Sequence, residues 1–275
     1  MVYKLVAADM EFRTIVKVEH PGFQIEPLES ILFVGSCFAD HIGRRFAEEH
    51  FPVTVNPFGV MYNPASILHT VQRCDLSPRV VFFTLGTNHV YRLKETGEIV
   101  DNCQKRPQSL FQEEELSVEQ CADYLLRAIE LIRQRNPEAH IVLTVSPIRY
   151  AKYGYHGSQL SKATLLLAVH RLVSQYGSYV HYFPAYEIVL DELRDYRFYQ
   201  PDMLHPSDQA VEYIWQQLVS VYFSNSAKTF LQEWKPIKEA YGHRPFHPES
   251  EEYQFFLEQT RQKEKNLLAR YESNF

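Results

Sequence analysis

Hydrophobic positions along the chain follow two rhythms. Short runs that are apolar throughout, "ILFVG" at 31–35, "RVVFFTLG" at 79–86 and "AHIVLTVSP" at 139–147, read as strands buried on both faces, as in the centre of a parallel sheet. Between them, apolar residues recur at helical spacing. Phe38, Ile42 and Phe46 form one such face, and "SVEQCADYLLRAIELIRQRNP" reads as a helix opened by a capping box of Ser117 and Gln120 and ended by Pro137. "SKATLLLAVHRLVSQYG" predicts a helix closed by Gly177, "SYVHYFPA" a shorter strand, and "PSDQAVEYIWQQLVSVYF" a helix opened by Pro206. "VTV" at 53–55 fits a short strand, "NPFGVMYNPAS" a loop, and the polar stretch around "KETGE" a hairpin.

Strands alternating with helices predict an α/β fold with a parallel sheet. From about residue 224 the chain becomes charged and helix-forming, with breaks expected at Pro236 and around Gly242 to Pro248. The expected division is therefore an α/β domain at 1–223 and a helical extension at 224–275, docked on the core or on a partner such as a second copy in a homo-oligomer.

Composition narrows the function classes. With 275 residues and 45% hydrophobic content, the chain has material for one sizeable core plus an appendage. A net charge of −6 without a basic block speaks against a nucleic-acid partner, and no long uncharged stretch predicts a membrane span. The opening "MVYKLVAADMEFRT" turns acidic before it could form a signal sequence, which leaves the cytoplasm as the expected location. Cys37, Cys74, Cys103 and Cys121 are irregularly spaced and read as reduced thiols rather than a zinc site or disulfide frame.

Candidate chemistry falls in loops that follow strands, where an open parallel sheet binds its ligands. Ser36, directly after "ILFVG", is either the N-cap of the following helix or a nucleophile. Asp202 and His205 are three residues apart in "QPDMLHPSD", a spacing that can place a carboxylate beside an imidazole and fix its tautomer; chance alone supplies such a spacing often enough in this composition that a purely structural His–Asp bond is the equal alternative. In "LGTN", Gly86 permits a tight turn and Asn88 offers a side-chain donor or a turn cap. Cys37 stands at the first helical position beside an apolar face and is expected to be a packing residue. Lys162 and Arg149, near predicted element ends, are expected to be solvated.

The motifs "GSCFADHIG", "NPFGVMYNP", "LGTN", "TVSPIR", "SKATL", "YFPAYEIVLDELRDYRFYQPDMLHPS" and "HRPF", in this order, resemble the GSCFA family within the SGNH or GDSL-like hydrolases. The resemblance implies a three-layer α/β/α, flavodoxin-like fold and an SGNH-type serine esterase. Carried onto this chain, it implies Ser36 as nucleophile, with Asp202 and His205 completing a triad. It implies oxyanion donors at Ser36, Gly59 and Asn88, and no metal or cofactor. Block one reads GSCF where typical GDSL enzymes read GDS. Within "NCQKRP", Gln104 stands where the family usually has histidine, so no chemistry is expected there.

Around this set, His89, Arg197 and Tyr199 are candidates for substrate binding, each with a structural alternative in rim or loop packing. The resulting expectation is hydrolysis of a carboxylic ester, removing acetyl or another short acyl group from a small-molecule or glycan ester. An acyltransferase that passes the same acyl group to an alcohol, and a non-catalytic binding or assembly protein on the same fold, are the alternatives.

Overall fold

A computed structural model describes residues 12–101 and 106–272. Cys103, Gln104 and the first eleven residues, on which parts of the sequence reading rest, lie outside the described residues.

Five strands form a parallel sheet: β1 (Ile31–Gly35), β2 (Val53–Val55), β3 (Val80–Leu85), β7 (His140–Val145) and β8 (Val180–Tyr182), in the order β2-β1-β3-β7-β8. Counting only these strands, the order is 2-1-3-4-5, the flavodoxin-like arrangement, with its switch point between β1 and β3. A separate antiparallel sheet joins β4 (His89–Leu93), β5 (Ile99–Val100) and β6 (Phe111–Glu115) in the order β5-β4-β6.

The apolar strands split their side chains between two cores. Ile31, Phe33, Val80 and Phe82 face one side, while Leu32, Val34, Val81 and Phe83 face the other. Phe33 and Phe82 are neighbours in register and stack with ring centroids 4.5 Å apart. Helix α1 (Cys37–Glu48) covers the first face through Phe38, Ile42 and Phe46, the face expected from their spacing. On the opposite side pack α2 (Pro64–Arg73), α3 (Val118–Arg135) and α4 (Gly154–Tyr176). The short helix α5 (Ala185–Glu187) runs on into wider turns at Ile188–Leu193.

Helix α6 (Asp208–Tyr222) joins the first face, as does α7 (Asn225–Gly242). Phe230, Trp234 and Ile237 of α7 and Leu267 of α8 (Glu251–Glu272) belong to the same core as β1 and α1. The C-terminal helices thus dock on the α/β core. No described helix is long and apolar enough to cross a membrane.

Several expected boundaries shift. Helix α2 lies where only a loop and unassigned chain were expected: Asn63 caps it through the Ser66 N–H, and Pro64 occupies its first turn. Strand β6, "FQEEE", has no apolar alternation and owes its form to pairing with β4. Pro236 lies inside α7 and does not break it. Ser207, not Pro206, caps α6. Helix α4 starts at Gly154, well before "SKATL", and this extra length decides where Lys162 sits.

Candidate active site

The carboxyl ends of β1 and β3 meet at the switch point. Gly35 is required there: a Cβ on it would stand 2.2 Å from the Thr84 carbonyl oxygen, and its φ is +152°. Asn56 closes the junction from the next loop. Its side-chain oxygen accepts the Gly35 N–H at 2.8 Å, and its side-chain nitrogen donates to Asp40 at 2.7 Å. The Met61 N–H donates to the Gly35 carbonyl at 2.8 Å, so this loop is stitched onto the strand end.

Ser36 follows, and it is completely buried. Its hydroxyl accepts the Phe38 N–H at 3.3 Å and shares a hydrogen bond with the Thr84 hydroxyl at 3.1 Å, while its own N–H donates to the Thr84 carbonyl at 3.0 Å. The side chain is thus the helix cap, one of the two readings its position allowed, and the N–H that the resemblance assigns to the oxyanion is a rung between β1 and β3.

The other two expected oxyanion donors are engaged as well. The Gly59 N–H donates to the Asn56 carbonyl at 2.8 Å, closing a turn in which Gly59 takes a φ of +93°. Asn88 donates through its side-chain amide to the Leu116 carbonyl at 2.8 Å, and the Leu116 N–H returns a bond to the Asn88 carbonyl at 3.0 Å. Asn88 therefore ties the β3–β4 turn to the start of α3.

Asp202 and His205 are brought together as expected. The imidazole Nδ1 lies 2.6 Å from Asp202 Oδ2, while Oδ1 accepts the backbone N–H groups of Leu204 at 2.8 Å and His205 at 3.0 Å. Those backbone donors, with the imidazole added, hold the carboxylate down to about 2, so it is ionised throughout the working range of a histidine. The loop is anchored at both ends. The Gln200 N–H donates to the His205 carbonyl, and the Arg149 N–H, after β7, donates to the Leu204 carbonyl at 3.0 Å. Among the described residues, no hydrogen bond joins His205 to Ser36 or Cys37.

Around the start of α1, Cys37 is part-buried and packs against the first core, as its apolar face implied, and its Sγ shares a hydrogen bond with the Tyr62 hydroxyl at 3.5 Å. The Tyr62 and Tyr150 rings meet edge to face at 5.9 Å. The Tyr150 hydroxyl has no hydrogen-bond partner although it is buried, and it stands 2.8 Å from where a Cβ on Gly86 would lie. Burial pushes both phenols well above the usual tyrosine range.

Beneath them is Lys162, only 2% exposed, where a solvated side chain was expected. Its ammonium donates to the Gly86 and Ser146 carbonyls, both at 2.7 Å, and thereby ties the ends of β3 and β7 together. Burial lowers it to about 7. The signal for its burial was the spacing of Ser158, Ser161 and Leu165 on one face of a helix longer than the motif suggested.

The expected substrate residues divide. His89 is buried, stacks on Tyr153 at 3.6 Å, and is lowered by that burial, so it acts as packing. Arg197 pairs with Asp195 at 3.1 Å on the outside of its loop. Tyr199, by contrast, lines a cavity of about 230 Å³ with Arg149, Gln159, Arg194 and Tyr196. Arg149 stacks over the Tyr155 and Tyr199 rings and donates to the Met203 carbonyl, so this cavity adjoins the Asp202–His205 loop.

A flavodoxin-like sheet with a histidine–aspartate pair at its carboxyl edge defines a protein of the three-layer α/β/α class. The chain belongs to the GSCFA family: the profile of that family matches residues 30–77 and 76–218, and that of the "GSCFA domain protein, C-terminal domain" matches 234–275. Similar solved structures include a member of the lipolytic protein G-D-S-L family from Veillonella parvula, at 12% identity over 70% of this chain and 97% of that one, with a TM-score of 0.47. An acetyl esterase mutant with acetate ion is 13% identical over 76% of this chain and 99% of that one, with a TM-score of 0.43. A family two carbohydrate esterase from Clostridium thermocellum, in complex with cellohexaose, is 14% identical over 71% and 64%, with a TM-score of 0.44. Among curated proteins no match is found.

Proposed function

We propose that this protein hydrolyses carboxylic esters, removing acetyl or another short acyl group from a carbohydrate-like substrate through a covalent acyl-enzyme. The observation that carries this reading is the Asp202–His205 pair. A carboxylate fixed by two backbone N–H groups holds Nδ1 of the imidazole at 2.6 Å, which leaves Nε2 as the acceptor for a nucleophile's proton. The nucleophile comes from the β1–α1 junction, where the positive end of the α1 dipole faces developing negative charge.

The surroundings support a short acyl group and a polar, ring-shaped leaving group. The space over Gly86 is limited by the Tyr150 hydroxyl and the Tyr62 carbonyl, the latter 3.0 Å from a Cβ position. The cavity beside the dyad offers the Tyr196 and Tyr199 rings with Arg149, Arg194 and Gln159, a mixture of stacking surfaces and donors suited to a sugar.

The test is hydrolysis of p-nitrophenyl esters of increasing acyl length and of acetylated sugars by wild type and His205→Ala. The expected result is acetyl preference and a loss of about 10²–10⁴-fold in kcat/KM for the variant. Equal rates in the two proteins would end the proposal.

A further inference from the structure

Resting on the esterase reading, we propose that the alcohol part of the ester carries an anionic group, a carboxylate or a phosphate, received by Arg149 and Arg194 in the cavity beside His205. Backbone geometry ties this cavity to the dyad. Tyr199, on its wall, bridges to Pro206, the Gln200 N–H donates to the His205 carbonyl at 2.8 Å, and the Ser207 N–H donates to the Phe198 carbonyl at 2.8 Å. From the end of β7, the Arg149 N–H reaches the Leu204 carbonyl at 3.0 Å and its guanidinium the Met203 carbonyl at 3.1 Å. A leaving group protonated by His205 has this space as its neighbour.

The charge on the wall is positive and unmatched. Among the described residues, neither Arg149 nor Arg194 has a carboxylate partner. Arg149 lies over the Tyr155 ring at 4.3 Å and the Tyr199 ring at 5.3 Å, a stacking that leaves in-plane N–H groups available beyond the one given to Met203. Arg194 ends the wide turns at Ile188–Leu193 with a left-handed φ of +42°, which glycine or asparagine takes more readily, so the turn gives no reason for a long cationic side chain. The Tyr186 hydroxyl donates to the Gln159 side-chain oxygen at 2.6 Å, which leaves the amide nitrogen as a third donor. Asp195, the carboxylate on this wall, is already neutralised: it pairs with the Arg197 guanidinium at 3.1 Å and accepts the Arg197 N–H at 2.9 Å. In a chain of net charge −6, this cavity therefore holds two cations without counter-charge.

Size and shape agree with the charge. A volume of about 230 Å³ lies below the roughly 300–1,000 Å³ of pockets for drug-sized ligands, so the space fits one ring and its substituent rather than a chain of sugars. Tyr196 and Tyr199 offer faces to the ring, and each guanidinium presents the planar fork of donors that a carboxylate or phosphate accepts in pairs. A neutral sugar leaves both cations unpaired. Because the anion sits away from the reacting carbonyl, it is bound alike in ground and transition states, and its contribution falls on KM rather than kcat.

The test measures acetate release from acetylated glucuronic acid, its methyl ester and acetylated glucose 6-phosphate by the full chain. It compares wild type, Arg194→Gln, Arg194→Lys and the double variant Arg149→Gln/Arg194→Gln, with thermal melting to verify folding. Expected in wild type is a KM about tenfold or more lower for the free acid or the phosphate than for the methyl ester, with kcat little altered between substrates. That ratio should fall below about threefold in Arg194→Gln, recover in Arg194→Lys and shrink as salt is raised. The lower KM of the two anions tells a carboxylate from a phosphate. Equal KM values for the anionic and neutral esters in wild type, or a ratio that survives in the folded double variant, overturn the proposal and leave the esterase reading intact. If wild type cleaves none of these esters, the esterase reading fails and calorimetric binding of glucuronate, glucose 6-phosphate and glucose decides. An Arg194-dependent preference for either anion supports the cavity, and equal or absent binding of all three overturns it.

Discussion

At the β1–α1 junction, the bonds that join its segments reach far along the chain: Ser36 to Thr84, Gly35 to Asn56, and Met61 back to Gly35. In the loop that carries His205, the equivalent bonds span two or three residues, from Asp202 to Leu204 and His205. One half of the site is the convergence of three distant segments in a buried frame. The other is a surface clip whose carboxylate and imidazole are set by local bonds and which is fastened to the rest of the chain through Arg149. A defect in the frame should therefore be felt as lost stability, and a defect in the clip as lost chemistry with the fold intact.

The sharpest probe of the clip is Asp202→Asn. The amide retains the side-chain size but no longer stabilises the imidazolium or dictates its tautomer, so kcat should fall by about 10²–10⁴-fold with little change in melting temperature. A comparable fall in stability would show that the clip also supports the fold. In the frame, Gly35→Ala forces a methyl against the Thr84 carbonyl. A loss of about 3 kcal/mol in urea denaturation is expected, and an unaltered midpoint would break the distinction.

Lys162→Met tests how firmly the frame grips its buried cation. Because burial holds the lysine at about 7 in the fold, the unfolded chain binds more protons between about pH 7 and its ordinary value of 10.5. Stability of the wild type therefore rises across that window, by at most about 1.4 kcal/mol per pH unit, and the variant should lack this component. Denaturation at pH 7 and 10 measures it, and parallel slopes in the two proteins would show that the lysine remains charged between the Gly86 and Ser146 carbonyls.

The same contrast explains what was legible in the sequence. The Asp202–His205 pair is local, so its spacing allowed the contact, and the motif "QPDMLHPS" of the resemblance singled it out. The strands β1, β3 and β7 were legible because both faces are buried and each residue had to be apolar. The hydrogen-bond partners of Ser36 and Cys37 were not, because Thr84 and Tyr62 are brought near only by the folded sheet and its following loop. Strand β6 was hidden for a related reason. Glu114 pairs with Arg92 of β4 and Glu113 with Lys152 just before α4, and nothing in "FQEEE" alone asks for extended backbone. Lys162 was misread because the start of α4 was placed too late along the chain.

Helix α1 is held at its far end by the C-terminal extension. The Trp234 indole N–H donates to the Glu48 carbonyl at 2.9 Å, and Lys238 pairs with Glu49 just beyond the helix. One rigid rod thus has its tail clamped by the segment at 234–275 and its head set at the β1–β3 switch point. For protein engineering, the extension and the α/β core are not interchangeable modules: a tail borrowed from a relative must bring matching partners for Glu48 and Glu49, or the head of the rod will lose its aim.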